Sequence, residues 1–164
     1  RKLGDALVAP IVPFVPEGNI IQPTVHMKYP GTVSVSEATF EALLTDICES
    51  FRTHGFEHIV LIGDSGGNQA GMKTVAAKLN AKPRGKSRVH YIAEYYDFGA
   101  VAKYLEQNGI KQTPEGLHDD FGMTAMMMAV DPRSVRTEQR IAAGKFSING
   151  VDLAPTEDTV ALGC

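Results

Sequence analysis

The residues most able to do chemistry sit in one short stretch, Gly63-Asp64-Ser65-Gly66-Gly67-Asn68, directly after the apolar run Ile59–Ile62. Three glycines in six residues let a backbone reverse sharply and approach a ligand closely. Asn68 then opens a helix, whose first N–H groups lack partners within the helix and favour negative charge. An apolar strand, a glycine turn and a helix start form the junction at which open α/β sheets place their sites. Gly63-Asp64-Ser65-Gly66-Gly67 also fits the G-x-S-x-G nucleophile elbow, with Asp97 and then His118 following in a permissible chain order. The plain alternative is a tight turn in which Ser65 bonds local backbone.

Other titratable groups lie further along. His118 is flanked by Asp119 and Asp120, a setting that raises an imidazole pKa and suits it to general acid or base work; a loop histidine bonded to a carboxylate is the structural alternative. Asp64, Asp119 and Asp120 are candidate oxygen ligands, with a solvated helix cap the commoner role for such a pair. Tyr96 and Asp97 follow a predicted strand and point toward the same sheet edge as the glycine turn, which makes them candidate substrate-lining residues. His54, His58 and His90 lie at element ends and read as surface or packing residues. Met126-Met127-Met128 reads as flexible core.

Elements must hold these groups in place. Ile59–Ile62 has no polar alternation, as expected of an interior parallel strand covered on both faces. Leu7–Phe14 reads as a strand weakened by Pro10 and Pro13. Residues 15–33 form a long connection of the kind that serves function or assembly. Ser34 or Ser36 caps the next helix, with Glu37 completing a capping box from Ser34. Phe40, Leu43, Leu44, Ile47, Cys48 and Phe51 form its buried stripe, and Gly55 ends it. A helix from Asn68 to about Leu79, a strand over Val89–Ala93 and a helix over Phe98–Gln107 follow. A loop then carries Thr113–Asp120. A buried helix over Met123–Val130 and a short helix around Val135–Ala143 complete the pattern. Alternating strands and helices predict an α/β fold with a doubly wound parallel sheet in three layers.

Composition narrows the function classes. The 164 residues suit a single domain. A net charge of −3 and a pI near 5.9 give no footprint for nucleic acid or a membrane surface. No apolar run approaches the ~20 residues that span a bilayer. Two cysteines, Cys48 and Cys164, make no disulfide framework. The chain starts at Arg1 without methionine and stops at Cys164, so we expect a fragment; a cytoplasmic setting is favoured, with no signal peptide in view.

Over residues 7–138 the order of motifs resembles the creatininase family. His26 stands four residues before Pro30-Gly31-Thr32, and the capped helix ends in Gly55-Phe56. GDSGGN takes the place of an asparagine-glycine-histidine turn. HDDFGMTAMMMAVDP takes the place of the family's H-A-G segment, with His118, Thr124 and Pro132 matching. The resemblance implies a three-layer α/β/α hydrolase of cyclic or linear amides, often hexameric, using divalent zinc or manganese. It further implies that the family's first ligand cluster would precede Arg1, and that His118 is the proton-transfer group. Gly66, Gly67 and Asn68, with Ser65, would floor a small-molecule site. Two positions depart from the pattern: Ser65 replaces the turn histidine, and Met123 replaces a glutamate. Neither suits a hard, oxygen-preferring ion. A catalytically silent member and a Ser65 hydrolase remain the competing readings. The resemblance implies a homo-oligomer, a hexamer. The 15–33 loop, with His26 in it, is expected at or near a subunit contact, because Ile20, Ile21, Val25, Met27 and Tyr29 would otherwise expose much apolar surface.

Overall fold

The computed structural model describes residues 4–110 and 121–136, and the backbone of 147–148 and 151–152. The chain divides into two compact units, Arg1–Tyr96 and Asp97–Cys164. Among the described residues the fold is mixed α/β, with four α-helices, a two-strand parallel sheet and a short antiparallel hairpin.

The first unit is a β–α–β core with an extra helix. Helix α1 (Glu37–Thr53) starts at Ser36, whose side chain accepts from the Thr39 N–H. Strand β1 (His58–Leu61) leads through the glycine turn into helix α2 (Gly66–Asn80), then strand β2 (Arg88–Tyr91). β1 and β2 pair in parallel, with Ile59 opposite Val89 and Leu61 opposite Tyr91. Alternation along a strand sends these four to one face. There they meet Phe40, Leu44 and Cys48 of α1 and Met72, Val75, Ala76 and Leu79 of α2. Gly71 is the contact that lets the two helices close, because a Cβ there would lie 2.6 Å from the Phe40 ring.

Polar groups finish this core. Arg52 is buried, and its Nη2 donates to the Leu79 carbonyl at 3.0 Å, satisfying an acceptor in the last turn of α2. Glu49 accepts from Arg52 at 3.1 Å and from Arg84 at 3.2 Å. The Asn80 amide accepts from the Val89 N–H and donates to the Val89 carbonyl. It thereby occupies the edge of β2 that β1 leaves free, much as a neighbouring strand would.

Burial pushes the Cys48 thiol up to about 11, against the pull of the Arg52 guanidinium and with a push from Glu49. Since the thiolate is the reactive form, iodoacetamide at about pH 8 should leave Cys48 unmodified in the folded protein and alkylate it once denaturant is added. Peptide mass spectrometry reads this directly; rapid native labelling would show the core open at α1.

Several expectations need correction. Leu7–Phe14 forms no strand, and Leu7, Val8 and Ile11 are exposed. Pro10 and Pro13 remove the donors that a ladder would need. Among the described residues β1 pairs only with β2. Its second face is open as well, with Val60 56% and Ile62 55% exposed, so the unbroken apolar run does not correspond here to cover on both sides. The cap of α1 is Ser36, which leaves Glu37 as the first helical residue rather than the third, so no capping box forms from Ser34. Leu43 faces out of the stripe. Helix α2 begins two residues before Asn68, because Ser65 is its cap. After Tyr91 the second strand gives way to a 3-10 turn over Ala93–Tyr96.

The second unit carries α3 (Phe98–Gln107), α4 (Phe121–Val130) and a hairpin of β3 (Ser147–Ile148) and β4 (Val151–Asp152). Helix α3 spans its expected range, and α4 starts two residues before the expected Met123. Asp97 caps α3 by accepting from Ala100, and Gly109 follows its end at φ +71°. In α4, however, only Gly122 is buried, and Met126, Met127 and Met128 are about half exposed. An apolar composition on every side of a helix cannot identify which side is covered. Beyond α4, Asp131 caps a 3-10 turn over Pro132–Ser134. The Arg133 side chain bonded to Asp131 holds that carboxyl below its usual range. The loop over Thr113–Asp120 and most of the helix expected around Val135–Ala143 lie outside the described residues.

Candidate functional site

The glycine turn leaves the C-terminal end of β1, the edge where ligand sites gather in α/β folds. Its geometry is set from beneath. Gln69 places Nε2 within 3.0 Å of the Gly63 carbonyl and 2.9 Å of the Ser65 carbonyl. The Tyr91 hydroxyl donates to Gln69 Oε1 at 2.8 Å, which ties the turn to β2. Asn68 is buried, and its amide lies where a Cβ on Gly63 would fall. The backbone is therefore braced on two sides by side-chain amides and by a strand tyrosine.

Ser65 is the centre of the arrangement. Its hydroxyl accepts from the Gly67 N–H at 3.2 Å, which caps α2, and donates to Glu17 Oε1 at 3.0 Å. The other oxygen of Glu17 bonds His26 Nδ1. A hydroxyl, a carboxylate and an imidazole thus form one chain, with the carboxylate in the middle. The loop delivers two of them. The Glu17 N–H donates to Ser34 Oγ, the Met27 N–H donates to the Glu17 carbonyl, and Asn19 Oδ1 accepts from Ile21 and Gln22. Residues 17–27 are so closed that a Cβ on Gly18 would lie 2.0 Å from the Thr24 carbonyl. Val25 stands at φ +49° immediately before His26. A β-branched residue there is strained by about 1–3 kcal/mol, a cost that the surrounding bonds of the loop offset.

Of the residues singled out in the sequence, His26 and Ser65 are joined through Glu17. Tyr96 also reaches the turn: a Cβ on Gly66 would lie 3.5 Å from its hydroxyl. Asp64 is exposed. Asp97 serves as the cap of α3 in the second unit. His118, Asp119 and Asp120 lie outside the described residues. Sequence pattern alone does not point to Glu17, Gln69 or Tyr91. Nothing in residue spacing connects Glu17 to a partner 48 positions away, and only the proline-rich loop itself hinted at a role.

The order of the chain limits its chemistry. In a serine-hydrolase triad the imidazole touches the hydroxyl and the carboxylate stands behind it. Here the carboxylate touches the hydroxyl, and the imidazole stands behind. A carboxylate is in general a weaker base than an imidazole, and Ser65 Oγ is already held by the Gly67 amide. Among the described residues the elbow therefore lacks the histidine contact that it would need.

A family model described as creatinine amidohydrolase matches residues 1–159. The chain is a member of the creatininase family, a family of amidohydrolases that are typically metal-dependent. No curated protein and no solved structure matches it. The family metal finds poor support at this turn. The described residues bring no group of three His, Cys, Asp or Glu together. Ser65, which the sequence resemblance sets against the family's turn histidine, has its hydroxyl committed to Glu17 and Gly67. A neutral hydroxyl does not supply the carboxylate or imidazole that zinc or manganese takes. No helix among the described residues is long and apolar enough to cross a membrane.

Proposed function

We propose that this chain hydrolyses a small cyclic or linear amide at its C–N bond, at the turn that follows β1. The observation that supports this reading is the braced glycine turn at the C-terminal strand edge of a creatininase-family chain. In the reaction water adds to the amide carbonyl and the C–N bond breaks, giving a carboxylic acid and an amine. His118 takes the proton of the attacking water and returns it to the leaving nitrogen. Gly66 is exposed at the first position of α2, where a helix N-terminus favours the negative charge that develops on the carbonyl oxygen. Tyr96 and the Ser65–Glu17–His26 chain offer donors and acceptors for the polar edge of a substrate. Assay of a panel of small lactams and linear amides against the full-length protein tests this, with and without added zinc or manganese.

A second reading has a specific observation behind it. With Ser65 committed and no three-ligand group among the described residues, the turn also suits a silent family member that binds a ligand or supports assembly. Absence of turnover across the panel, with a panel member bound, would decide for it.

The finer architecture belongs to the same proposal. We infer that β1 and β2 are part of a doubly wound sheet in three layers, since exposed Val60, Ile62 and Ile92 call for cover. We also infer a homo-oligomer, a hexamer by family resemblance. Ile20, Ile21 and Val25 are exposed on the 15–33 loop, and a contact there would remove them from water. Light scattering should give several protomer masses at micromolar protein; a monomer throughout that range rejects the assembly.

A further inference from the structure

The open face of the parallel sheet carries two histidines side by side. His58 is the first residue of β1 and His90 the third of β2, and the register sets His58 opposite Arg88 and Val60 opposite His90. The two imidazoles are therefore diagonal neighbours on one face. Their rings stand 5.3 Å apart between centroids, with His58 Nδ1 3.1 Å from His90 Nε2. Both strands are anchored from behind by buried Ile59 and Val89, so the spacing is set by backbone pairing rather than by mobile side chains. Arg88, the nearest cation in the register, turns its Nη1 onto the Ser87 carbonyl.

We propose that His58 and His90 form a two-imidazole site for a late first-row divalent cation, of the Cu2+, Ni2+ or Zn2+ class. In the free protein one nitrogen donates its proton to the other. An ion takes the place of that hydrogen bond: it needs both lone pairs, so the donating ring changes tautomer. Its proton passes through water to the other nitrogen of the same ring, and both imidazoles stay neutral. The separation suits the exchange. Nitrogens bound to one ion at about 2.0–2.1 Å, with an angle between square and tetrahedral, stand about 2.9–3.4 Å apart, and the observed separation is 3.1 Å. Imidazole pairs select this class of ion over magnesium or calcium, and affinity peaks at Cu2+. Water completes the coordination, consistent with the exposure of His58. The site lies at the start of β1, whereas the glycine turn follows its end, and it is independent of the activity proposed above.

Titration of the full chain with Cu2+, followed by calorimetry and electron paramagnetic resonance, tests the assignment. A one-to-one complex with nitrogen hyperfine structure from two imidazoles is expected. Loss of a group that merely supports a ligand weakens metal sites by about 10–100-fold. His58→Ala and His90→Ala should therefore each weaken binding at least tenfold, while His54→Ala, at the exposed end of α1, keeps the parent affinity. His58→Gln and His90→Gln serve the same purpose should either alanine variant fail to fold. Binding should also weaken in acid, since only an unprotonated imidazole nitrogen binds a metal ion. Parent affinity retained in the His58 and His90 variants, or no binding at micromolar Cu2+, overturns the proposal.

Discussion

His118→Ala in the full-length protein is expected to lower amide hydrolysis by about 10²–10⁴, the usual cost of losing a general acid or base. Ser65→Ala should retain most of the rate. The contrast follows from what each residue replaces. By the resemblance read in the sequence, His118 corresponds to the family's H-A-G histidine, its proton-transfer group. By the same resemblance Ser65 replaces a metal-binding histidine, and its hydroxyl is spent on capping α2 and on Glu17. Removing that hydroxyl should cost about 0.5–2 kcal/mol of stability as a lost cap, and leave Glu17 bonded to His26. Rates measured below the unfolding temperature of both variants separate the two effects. Equal damage from both changes, together with labelling of Ser65 by a fluorophosphonate, would instead make Ser65 a nucleophile with Glu17 as its base. If the wild-type protein turns over nothing while binding an amide, the silent reading stands.

The parts of the fold legible in the sequence are those governed by local rules. The stripe through Phe40, Leu44 and Cys48 predicts the buried face of α1 because helical periodicity is a property of neighbours in the chain. The glycine turn is legible for the same reason, since glycine, cap and helix start lie within six residues. Long-range polar contacts leave no such trace. Glu17 could have bonded any donor that the loop brought near, and it is the turn of Asn19 and the closure at Gly18 that aim it at Ser65. Tyr91 looks like one more apolar residue of a strand, although its hydroxyl holds Gln69. An unbroken apolar run such as Ile59–Ile62 states only that the chain avoids water, not which neighbours cover each face. The histidine pair was legible as two element-end residues, and only the parallel register makes them adjacent.

Gly67→Ala should unfasten the loop from the turn, while Gly66→Ala one residue away leaves it in place. Both glycines lie in the first turn of α2, where alanine has the higher helical propensity. They differ in what a Cβ would meet. At Gly66 it finds only the Tyr96 hydroxyl at 3.5 Å, an ordinary contact. At Gly67 it would lie 1.7 Å from the Pro16 carbonyl oxygen and 2.9 Å from the carbonyl carbon. That clash is between backbones, so no rotamer relieves it, and one segment must move. The helix is held by its own hydrogen bonds and by buried Met72 and Val75, which leaves the loop as the part that gives. Pro16 precedes Glu17 directly, so its displacement draws the carboxylate off Ser65 and takes His26 with it. Overpacking of this kind costs about 1–3 kcal/mol, whereas Gly66→Ala should be neutral or stabilise by about 0.4–1 kcal/mol. Thermal denaturation reports the difference in stability. Hydrogen exchange of the amides over residues 17–27 reports its location, with faster exchange expected at Met27, whose N–H is bonded to the Glu17 carbonyl. If the two variants melt together and protect Met27 alike, the loop is not held by its approach to Gly67, and the Ser65–Glu17–His26 chain loses its anchor.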